Sequence, residues 1–248
     1  MDLSPCDIVA FMAHPDDLEL TCGGTLALAA RQGWRAGAVD FTRSELSTRG
    51  NPELRAKEAE AASKVLGLSC RVNLGIPDGR IHDTDETRET VVRVIRRMRP
   101  RVIIAPPFED HHADHMAVAA IVARSIHLAT VAKYAPGDGA CRPHALLHTV
   151  GSRPAVPSLV VDVTSVYDLR VQAILCYRSQ FHDDASTEAP TRISHPDFLK
   201  AIEGAARRNG AFIGVTFGEA FTVREPIPVL DPVALYSRKP WEHPPKGL

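Results

Sequence analysis

Short apolar runs alternate with longer amphipathic runs along the chain, and this alternation constrains the fold more than any other feature of the sequence. An apolar run of about four to eight residues bounded by turn residues is typical of a buried strand, whereas a period of about 3.6 is typical of a helix. In the first half we predict strands at Asp7–Ala13, Trp34–Thr42, Cys70–Leu74 and Arg101–Ala105, and helices at Leu18–Gln32, Pro52–Leu66, Asp85–Arg99 and Asp114–Lys133. Strands that alternate with helices form a mostly parallel sheet with helices on both faces. The sequence therefore predicts an α/β, Rossmann-like fold.

The second half of the chain is less regular. We predict strands at His144–Val150 and Leu159–Val163, and helices at Tyr167–Ser179 and Pro196–Asn209. Neither an internal repeat nor a break in composition divides the sequence, so we expect residues 1–248 to form one domain.

Composition argues against several classes of protein. The formal net charge is −1, without the basic excess that a nucleic-acid-binding surface normally needs. No apolar run approaches the roughly 18 residues of a membrane span, and the N-terminal segment does not resemble a signal peptide. The 5 cysteines include no Cys-x-x-Cys pair, which favours reduced thiols over a disulfide framework or a thiolate zinc site. We therefore expect a soluble cytoplasmic protein.

The first motif with chemical potential, Ala13-His14-Pro15-Asp16-Asp17, follows the first predicted strand and leads into a helix. Asp is a good N-cap residue, so the motif could serve only to begin the helix. One acid would suffice for that purpose, however, and here His14 stands beside two. In an open parallel sheet the loops after the strands line the ligand crevice. We therefore expect His14 and Asp17 to reach one metal ion there.

The second motif, Glu109-Asp110-His111-His112-Ala113-Asp114-His115, follows the strand Arg101–Ala105 in the same way. A polar loop capped by Asp114 is the structural alternative, but so many histidines and acids in one loop weaken it. Two imidazoles and one carboxylate with an open position form a catalytic type of zinc site. Iron(II) also accepts this ligand set, so the sequence favours zinc without fixing it.

The neighbouring side chains would supply the rest of a metal-assisted amide hydrolysis. Asp16 adjoins a predicted ligand and could take the proton from the metal-bound water. His112 could protonate the leaving amine or stabilise the oxyanion as an imidazolium. Asp114 could orient His112 through the other ring nitrogen.

Together the two motifs resemble the LmbE-like (PIG-L) family of zinc-dependent N-acetylglucosaminyl deacetylases. Five further segments resemble its bacillithiol-biosynthesis branch: Thr42–Gly50, Glu53–Arg55, Asn73–Gly79, Ser179–Phe181 and Gly218–Phe221. The resemblance implies a zinc ion held by His14, Asp17 and His115. It also implies Asp16 as general base, with His112 and Asp114 assisting. The implied substrate is N-acetylglucosaminyl-malate, and the implied assembly is a homo-oligomer, often a hexamer in this branch.

The resemblance also implies substrate contacts. Arg55 matches an arginine that approaches the substrate pocket, and Arg43, Glu45 and Arg49 belong to a substrate loop. Charges on a solvated surface are the structural alternative for these residues. Phe217 occupies a position where the family commonly has a tyrosine whose hydroxyl could bind the oxyanion, and phenylalanine cannot donate that hydrogen bond. The alternative is that Phe217 is a core aromatic residue on a late strand.

Other functions remain open from the sequence. An enzyme of the same fold could act on another N-acyl group, as an amidase for thiol conjugates or as a deacetylase of a secondary-metabolite amino sugar. A metal-binding protein without hydrolytic activity would show the same ligands. A nucleotide-binding module is disfavoured, because Cys22-Gly23-Gly24 is not a Gly-x-Gly-x-x-Gly turn and does not directly follow the strand.

Overall fold

The computed structural model describes residues 3–151, 155–181 and 187–235. The elements follow in the order β1 (Ile8–Met12), α1 (Asp17–Thr21), α2 (Gly23–Arg31), β2 (Ala36–Asp40), α3 (Pro52–Leu66), β3 (Cys70–Asn73), α4 (Asp85–Met98), β4 (Val102–Ala105), α5 (Ala113–Ala129), β5 (Ala145–Thr149), β6 (Leu159–Asp162), a short 3₁₀ helix (Thr164–Val166), α6 (Tyr167–Ile174), α7 (Phe198–Ala211), β7 (Gly218–Thr222) and α8 (Pro232–Leu235). Among these residues no helix has the length and apolar character needed to cross a membrane.

The strands form one 7-stranded sheet in the order β3-β2-β1-β4-β5-β7-β6. The first five strands along the chain are parallel to one another, and β7 runs antiparallel between β5 and β6. The predicted α/β class and the mostly parallel sheet are confirmed. Strand β7 was not predicted, because Gly218-Glu219-Ala220 has few of the β-branched and aromatic residues that are enriched in strands.

Helices cover both faces of the sheet. Successive side chains of a strand point to opposite faces, so β1 contributes to two separate clusters of buried residues. Ala10 and Met12 pack with residues of α2, α3 and α6, whereas Val9 and Phe11 pack with residues of α4 and α5. This burial on both sides explains why β1 and β4 are apolar throughout.

The predicted helix Leu18–Gln32 is interrupted at Cys22 and forms α1 and α2. Strand β7 supplies the cap for α2. The Glu219 carboxylate accepts hydrogen bonds from the backbone N–H groups of Gly24 at 2.8 Å and Thr25 at 2.7 Å. A Cβ atom at Gly24 would lie 2.9 Å from Glu219 Oε1, so a residue without a side chain suits this position.

Helix α5 ends at Ala129, four residues before the predicted end, and a buried arginine from α4 caps it. Arg96 is 1% exposed. Its guanidinium donates to the carbonyl oxygens of Ala129 at 3.1 Å and Val131 at 2.7 Å, and to those of Tyr134 and Ala135 at 2.7 Å each. The carbonyl groups at a helix end need such partners when they are buried.

Candidate metal centre

The two predicted motifs follow neighbouring strands, β1 and β4. Strands β2 and β3 lie to one side of β1, whereas β4 and β5 lie to the other, so the order of the chain reverses between β1 and β4. Such a switch point leaves a crevice at the carboxyl ends of the strands, and ligands bind there in open α/β sheets.

The structure brings His14, Asp17 and His115 together, with one imidazole beside each oxygen of the Asp17 carboxylate. His14 Nδ1 lies 3.4 Å from Asp17 Oδ2, and His115 Nε2 lies 3.3 Å from Asp17 Oδ1. One ligand atom from each of the three residues lies within 4.8 Å of the others. His14, His112 and Asp114 form a second group of this kind that shares His14. Two imidazoles and a carboxylate at this spacing fit a divalent metal ion of the zinc type.

Two further carboxylates, which the sequence did not identify, lie behind the imidazoles. His14 Nε2 lies 3.0 Å from Asp78 Oδ1, and His115 Nδ1 lies 3.0 Å from Asp110 Oδ2. The acidic second motif contained Asp110 without indicating its role. Asp78 is 64 residues from His14 in the sequence, so no local pattern connects them.

The carboxylates dominate the electrostatics of the two imidazoles. Burial is the largest influence on the pKa of His14 and lowers it, but Asp17 and Asp78 together outweigh it and raise the pKa to about 11. Burial likewise lowers the pKa of His115, and Asp17 and Asp110 outweigh it and raise the pKa to about 10. The raised pKa values favour the imidazolium form of both rings, with a proton on each ring nitrogen, when no metal is bound. A metal ion would displace protons from such a site and take over their positive charge.

Asp16 differs from Asp17 in surroundings and in backbone conformation. It precedes α1 with φ 111°, a left-handed conformation that is strained for a residue with a side chain and costs about 1–3 kcal/mol. The side chain is buried, and its Oδ2 accepts a hydrogen bond from Arg55 Nη1 at 2.7 Å. Burial raises the pKa of Asp16 to about 7, although the charge of Arg55 opposes the shift. Strain of this kind often marks a functional site.

Arg55 is buried, 5% exposed, so the interpretation as an exposed helix charge is wrong. Besides Asp16, its guanidinium donates to the carbonyl oxygen of Pro15 at 2.7 Å and to Ser47 Oγ at 2.8 Å. The structure therefore places Arg55 against the predicted general base.

His112 lies over the other two histidines. Its ring centroid is 4.8 Å from that of His14 and 4.7 Å from that of His115, against which it stacks. Burial and then the positive charges of His115 and His14 lower the pKa of His112. The imidazolium form expected from the sequence is therefore disfavoured. Asp114 accepts a hydrogen bond from Gly79 N at 2.9 Å and lies 3.5 Å from His14 Nε2, and its carboxylate lies within 4.8 Å of a ring nitrogen of His112.

The loop before α3 contains three residues predicted to contact substrate, and their side chains have different surroundings. Glu45 accepts hydrogen bonds from the backbone of Asp78 and of Arg43, and Arg49 donates to the carbonyl oxygen of Ser179. These two side chains hold the loop. Arg43 is exposed and lines a cavity of about 360 Å³ that borders the first motif at Pro15.

Phe217 does not have the surroundings expected of an oxyanion-binding position. Its ring lies on that of Tyr167 with the centroids 3.7 Å apart and the planes 6° apart, and the guanidinium of Arg207 lies 4.6 Å from its centroid. In the described part of the chain no recorded contact joins Phe217 to the metal-centre residues. The ring packs between α6 and α7 just before β7, and a substrate contact of Phe217 stays a prediction.

Known proteins are similar to this chain in sequence and in fold. The sequence model of PIG-L, described as GlcNAc-PI de-N-acetylase, matches residues 9–126. The crystal structure of a conserved protein from Thermus thermophilus, TT1542, is similar with a TM-score of 0.84 and 36% identity, covering 94% of this chain and 99% of that one. Diacetylchitobiose deacetylase from Thermococcus kodakarensis is 24% identical over 190 residues, 71% of each protein. A probable N-acetyl-alpha-D-glucosaminyl L-malate deacetylase 2 from Bacillus cereus is 26% identical over 189 residues, 70% of this chain and 83% of that protein.

The fold, the site and these relatives define the class of protein as a hydrolytic N-deacetylase, as the motifs predicted. The chain belongs to the LmbE-like (PIG-L) family, in which dependence on a metal is typical.

Proposed function

We propose that this protein removes the acetyl group from an N-acetylglucosamine conjugate in a zinc-dependent hydrolysis, with N-acetylglucosaminyl-malate as the substrate. The observation that carries the proposal is the convergence of His14, Asp17 and His115, with Asp16 held beside them by Arg55. The similarity to the probable malate-conjugate deacetylase, over 83% of that protein, supports the choice of substrate.

His14, Asp17 and His115 would hold the metal. When bound, a zinc ion supplies Lewis-acid polarisation of the acetyl carbonyl and lowers the pKa of a water molecule. The donor set fits this ion, because imidazole nitrogens suit zinc better than they suit magnesium or calcium.

The protein's own groups would then move the protons. Asp16, fixed by Arg55, accepts a proton as the water oxygen bonds to the acetyl carbon. His112 donates a hydrogen bond to the carbonyl oxygen, where negative charge develops, and a neutral imidazole can do this through its N–H group. When the C–N bond breaks, the proton returns from Asp16 to the amine nitrogen. The products are acetate and the free amino sugar. Asp114, whose carboxylate lies within 4.8 Å of a ring nitrogen of His112, would orient that imidazole.

The cavity beside the first motif suits an anionic group on the sugar. Five charged residues line it: Asp40, Arg43, Glu60, Lys64 and Arg71. Lys64 pairs with Glu60 and Arg71 pairs with Asp40, which leaves Arg43 as the cation of this lining that could pair with an anion of the substrate. In the proposed complex Arg43 pairs with a carboxylate of the malate group. The alternatives of a thiol conjugate or a secondary-metabolite amino sugar predict no such pairing.

The test is acetate release by the zinc-loaded protein from N-acetylglucosaminyl-malate, its inositol analogue, free N-acetylglucosamine and a thiol conjugate. The malate conjugate is expected to have the highest kcat/KM. Arg43→Ala should raise KM for that substrate alone, and Arg43→Lys should retain part of the effect because it keeps the charge. Preference for another conjugate would contradict the substrate. Release of acetate from none of them would contradict the proposed function itself.

The resemblance also leads us to propose a homo-oligomer, and the hexamer is the form to expect. Light scattering coupled to size-exclusion chromatography measures this directly.

A further inference from the structure

We propose that Asp110 and Asp78 are positioning residues that orient the two imidazole ligands, so that His115 binds the metal through Nε2 and His14 binds it through Nδ1. This inference rests on the proposed function, because it assumes the metal centre of His14, Asp17 and His115. Neither carboxylate was assigned a role by the motifs.

The two nitrogens of His115 face different carboxylates. Nε2 lies 3.3 Å from Asp17 Oδ1, towards the predicted metal, whereas Nδ1 lies 3.0 Å from Asp110 Oδ2. A neutral imidazole has one N–H donor and one acceptor nitrogen. If Nδ1 donates to Asp110, Nε2 presents its lone pair to the metal.

His14 shows the same division with the nitrogens exchanged. Nδ1 lies 3.4 Å from Asp17 Oδ2, whereas Nε2 lies 3.0 Å from Asp78 Oδ1. Asp114 Oδ2 is the next carboxylate oxygen, at 3.5 Å from Nε2, and Asp78 is therefore the closer acceptor. The Nε2–H group donates to Asp78, and Nδ1 is left to face the metal.

Both supporting carboxylates are themselves fixed by backbone groups. The other oxygen of Asp110 accepts from His111 N at 2.6 Å and from His112 N at 3.3 Å. The other oxygen of Asp78 accepts from Leu46 N at 3.1 Å. Each carboxylate thus has one oxygen bound to a loop and one aimed at a ligand ring.

The loop after β5 also leaves room for Asp110. A Cβ atom at Gly151 would lie 3.0 Å from Asp110 Oδ2 and 2.8 Å from Pro107 Cγ. The absence of a side chain at this position therefore allows the carboxylate to occupy its place behind His115.

Carboxylates in this position fix the orientation and tautomer of a metal-binding histidine and make it a stronger ligand. Because each Asp has one oxygen for the loop and one for the ring, an Asn variant separates the two roles. The Asn oxygen can still accept from the loop N–H groups, but the amide NH₂ group cannot accept from the imidazole N–H.

The experiment measures Zn²⁺ affinity by competition with a chromophoric chelator for the wild type, Asp110→Asn, Asp78→Asn and Asp197→Asn. Asp197 lies on the surface with Lys200 as its partner and serves as the matched control. Each of the first two variants is expected to bind Zn²⁺ about 10–100-fold more weakly than the wild type. The control should bind with wild-type affinity.

Unchanged Zn²⁺ affinity in both folded Asn variants would overturn the inference while leaving the proposed function standing. A wild-type protein that binds no Zn²⁺ would instead contradict the proposed function. A second measurement needs no variant: the imidazole ¹⁵N resonances of the Zn²⁺-loaded wild type should show the metal on Nδ1 of His14 and on Nε2 of His115. The opposite nitrogens would overturn the inference even if the variants fail to fold.

Discussion

Adjacent residues in the first motif have opposite electrostatic surroundings. The carboxylate of Asp17 faces two imidazoles, which hold its pKa well below the usual range despite its burial. The carboxylate of Asp16 is buried beside one guanidinium, and burial raises its pKa. The backbone is left-handed at Asp16, where the two consecutive side chains take different partners.

We predict that Asp16→Asn and Asp17→Asn fail in different ways. Asp16→Asn removes the proton acceptor, so kcat should fall by about 10²–10⁴-fold with the bound zinc retained. Asp17→Asn removes one of three protein ligands, so the zinc content should fall. Parallel measurements of kcat and of zinc per chain by plasma emission spectrometry check this. Equal loss of metal in both variants, with equal activity per bound ion, would show that the two residues have the same role.

For Phe217 we predict that adding a hydroxyl group to the ring leaves the kinetics unchanged. A hydroxyl that reached the oxyanion would raise kcat, since one such donor is typically worth about 10²–10³-fold. The ring lies instead between Tyr167 and Arg207. Phe217→Tyr should therefore leave kcat and KM unchanged on the best substrate. A clear rise in kcat with constant KM would show that the side chain does reach the reacting carbonyl.

At the scale of the elements, side chains distant in the sequence determine where helices begin and end. Arg96 on α4 satisfies carbonyl groups at the end of α5, and Glu219 on β7 satisfies N–H groups at the start of α2. Both are charged residues with almost no exposure, and their partners are backbone groups that would otherwise be buried without hydrogen bonds.

Arg96→Met is expected to destabilise the protein by about 2–4 kcal/mol, because it leaves several buried carbonyl oxygens without donors. The matched control is Arg97→Met on the same helix. Arg97 is half-exposed and pairs with Asp138, an arrangement typically worth about 0–1 kcal/mol. Denaturant unfolding monitored by circular dichroism gives both values. Equal losses in the two variants would mean that the cap contributes little.

The same distant contacts explain which elements could be predicted from the sequence. Helix α3 begins and ends as predicted, because Pro52 at its start and Gly67 after its end are local signals. The break at Cys22 and the early end of α5 depend on residues far along the chain. Strand β7 has no strong local pattern and is specified by its place between two other strands.

In the candidate site, too, the sequence indicated some residues and could not indicate others. Residues within the two motifs could be proposed as metal ligands from the sequence, because ligands of this type have a recognisable spacing after parallel strands. Asp78 and the ion pair between Arg55 and Asp16 could not be predicted, since each joins segments that only the folded chain brings together. For Phe217 the sequence could not indicate that the ring stacks on Tyr167, because a residue type in the sequence does not fix where a ring packs.

At the scale of the whole molecule, the proposed metal joins loops from two neighbouring strands. His14 and Asp17 follow β1, and His115 lies in α5 after β4. An ion bound between them connects two parts of the chain that separate on unfolding. Binding to the folded state alone stabilises it in proportion to the logarithm of ligand concentration over Kd.

Zinc should therefore raise the unfolding temperature of the chelator-treated wild type. At a free concentration of about 100 times Kd the gain is about 2.7 kcal/mol. In a chain of this size about 1 kcal/mol corresponds to about 2–4 °C. Differential scanning fluorimetry with and without zinc measures the shift, and Asp17→Asn should show much less of it. An unfolding temperature that does not respond to zinc in the wild type would contradict the metal centre.

The position of β7 has a consequence for synthesis on the ribosome. This strand is the last to be translated among the described residues, yet it lies between β5 and β6. A nascent chain that has emerged only through β6 carries a strand without its native neighbour. Until Glu219 emerges, the Gly24 and Thr25 N–H groups also lack their cap. Both the pairing of β6 and the capping of α2 therefore require residues of β7. Native assembly can be completed only after β7 has been translated.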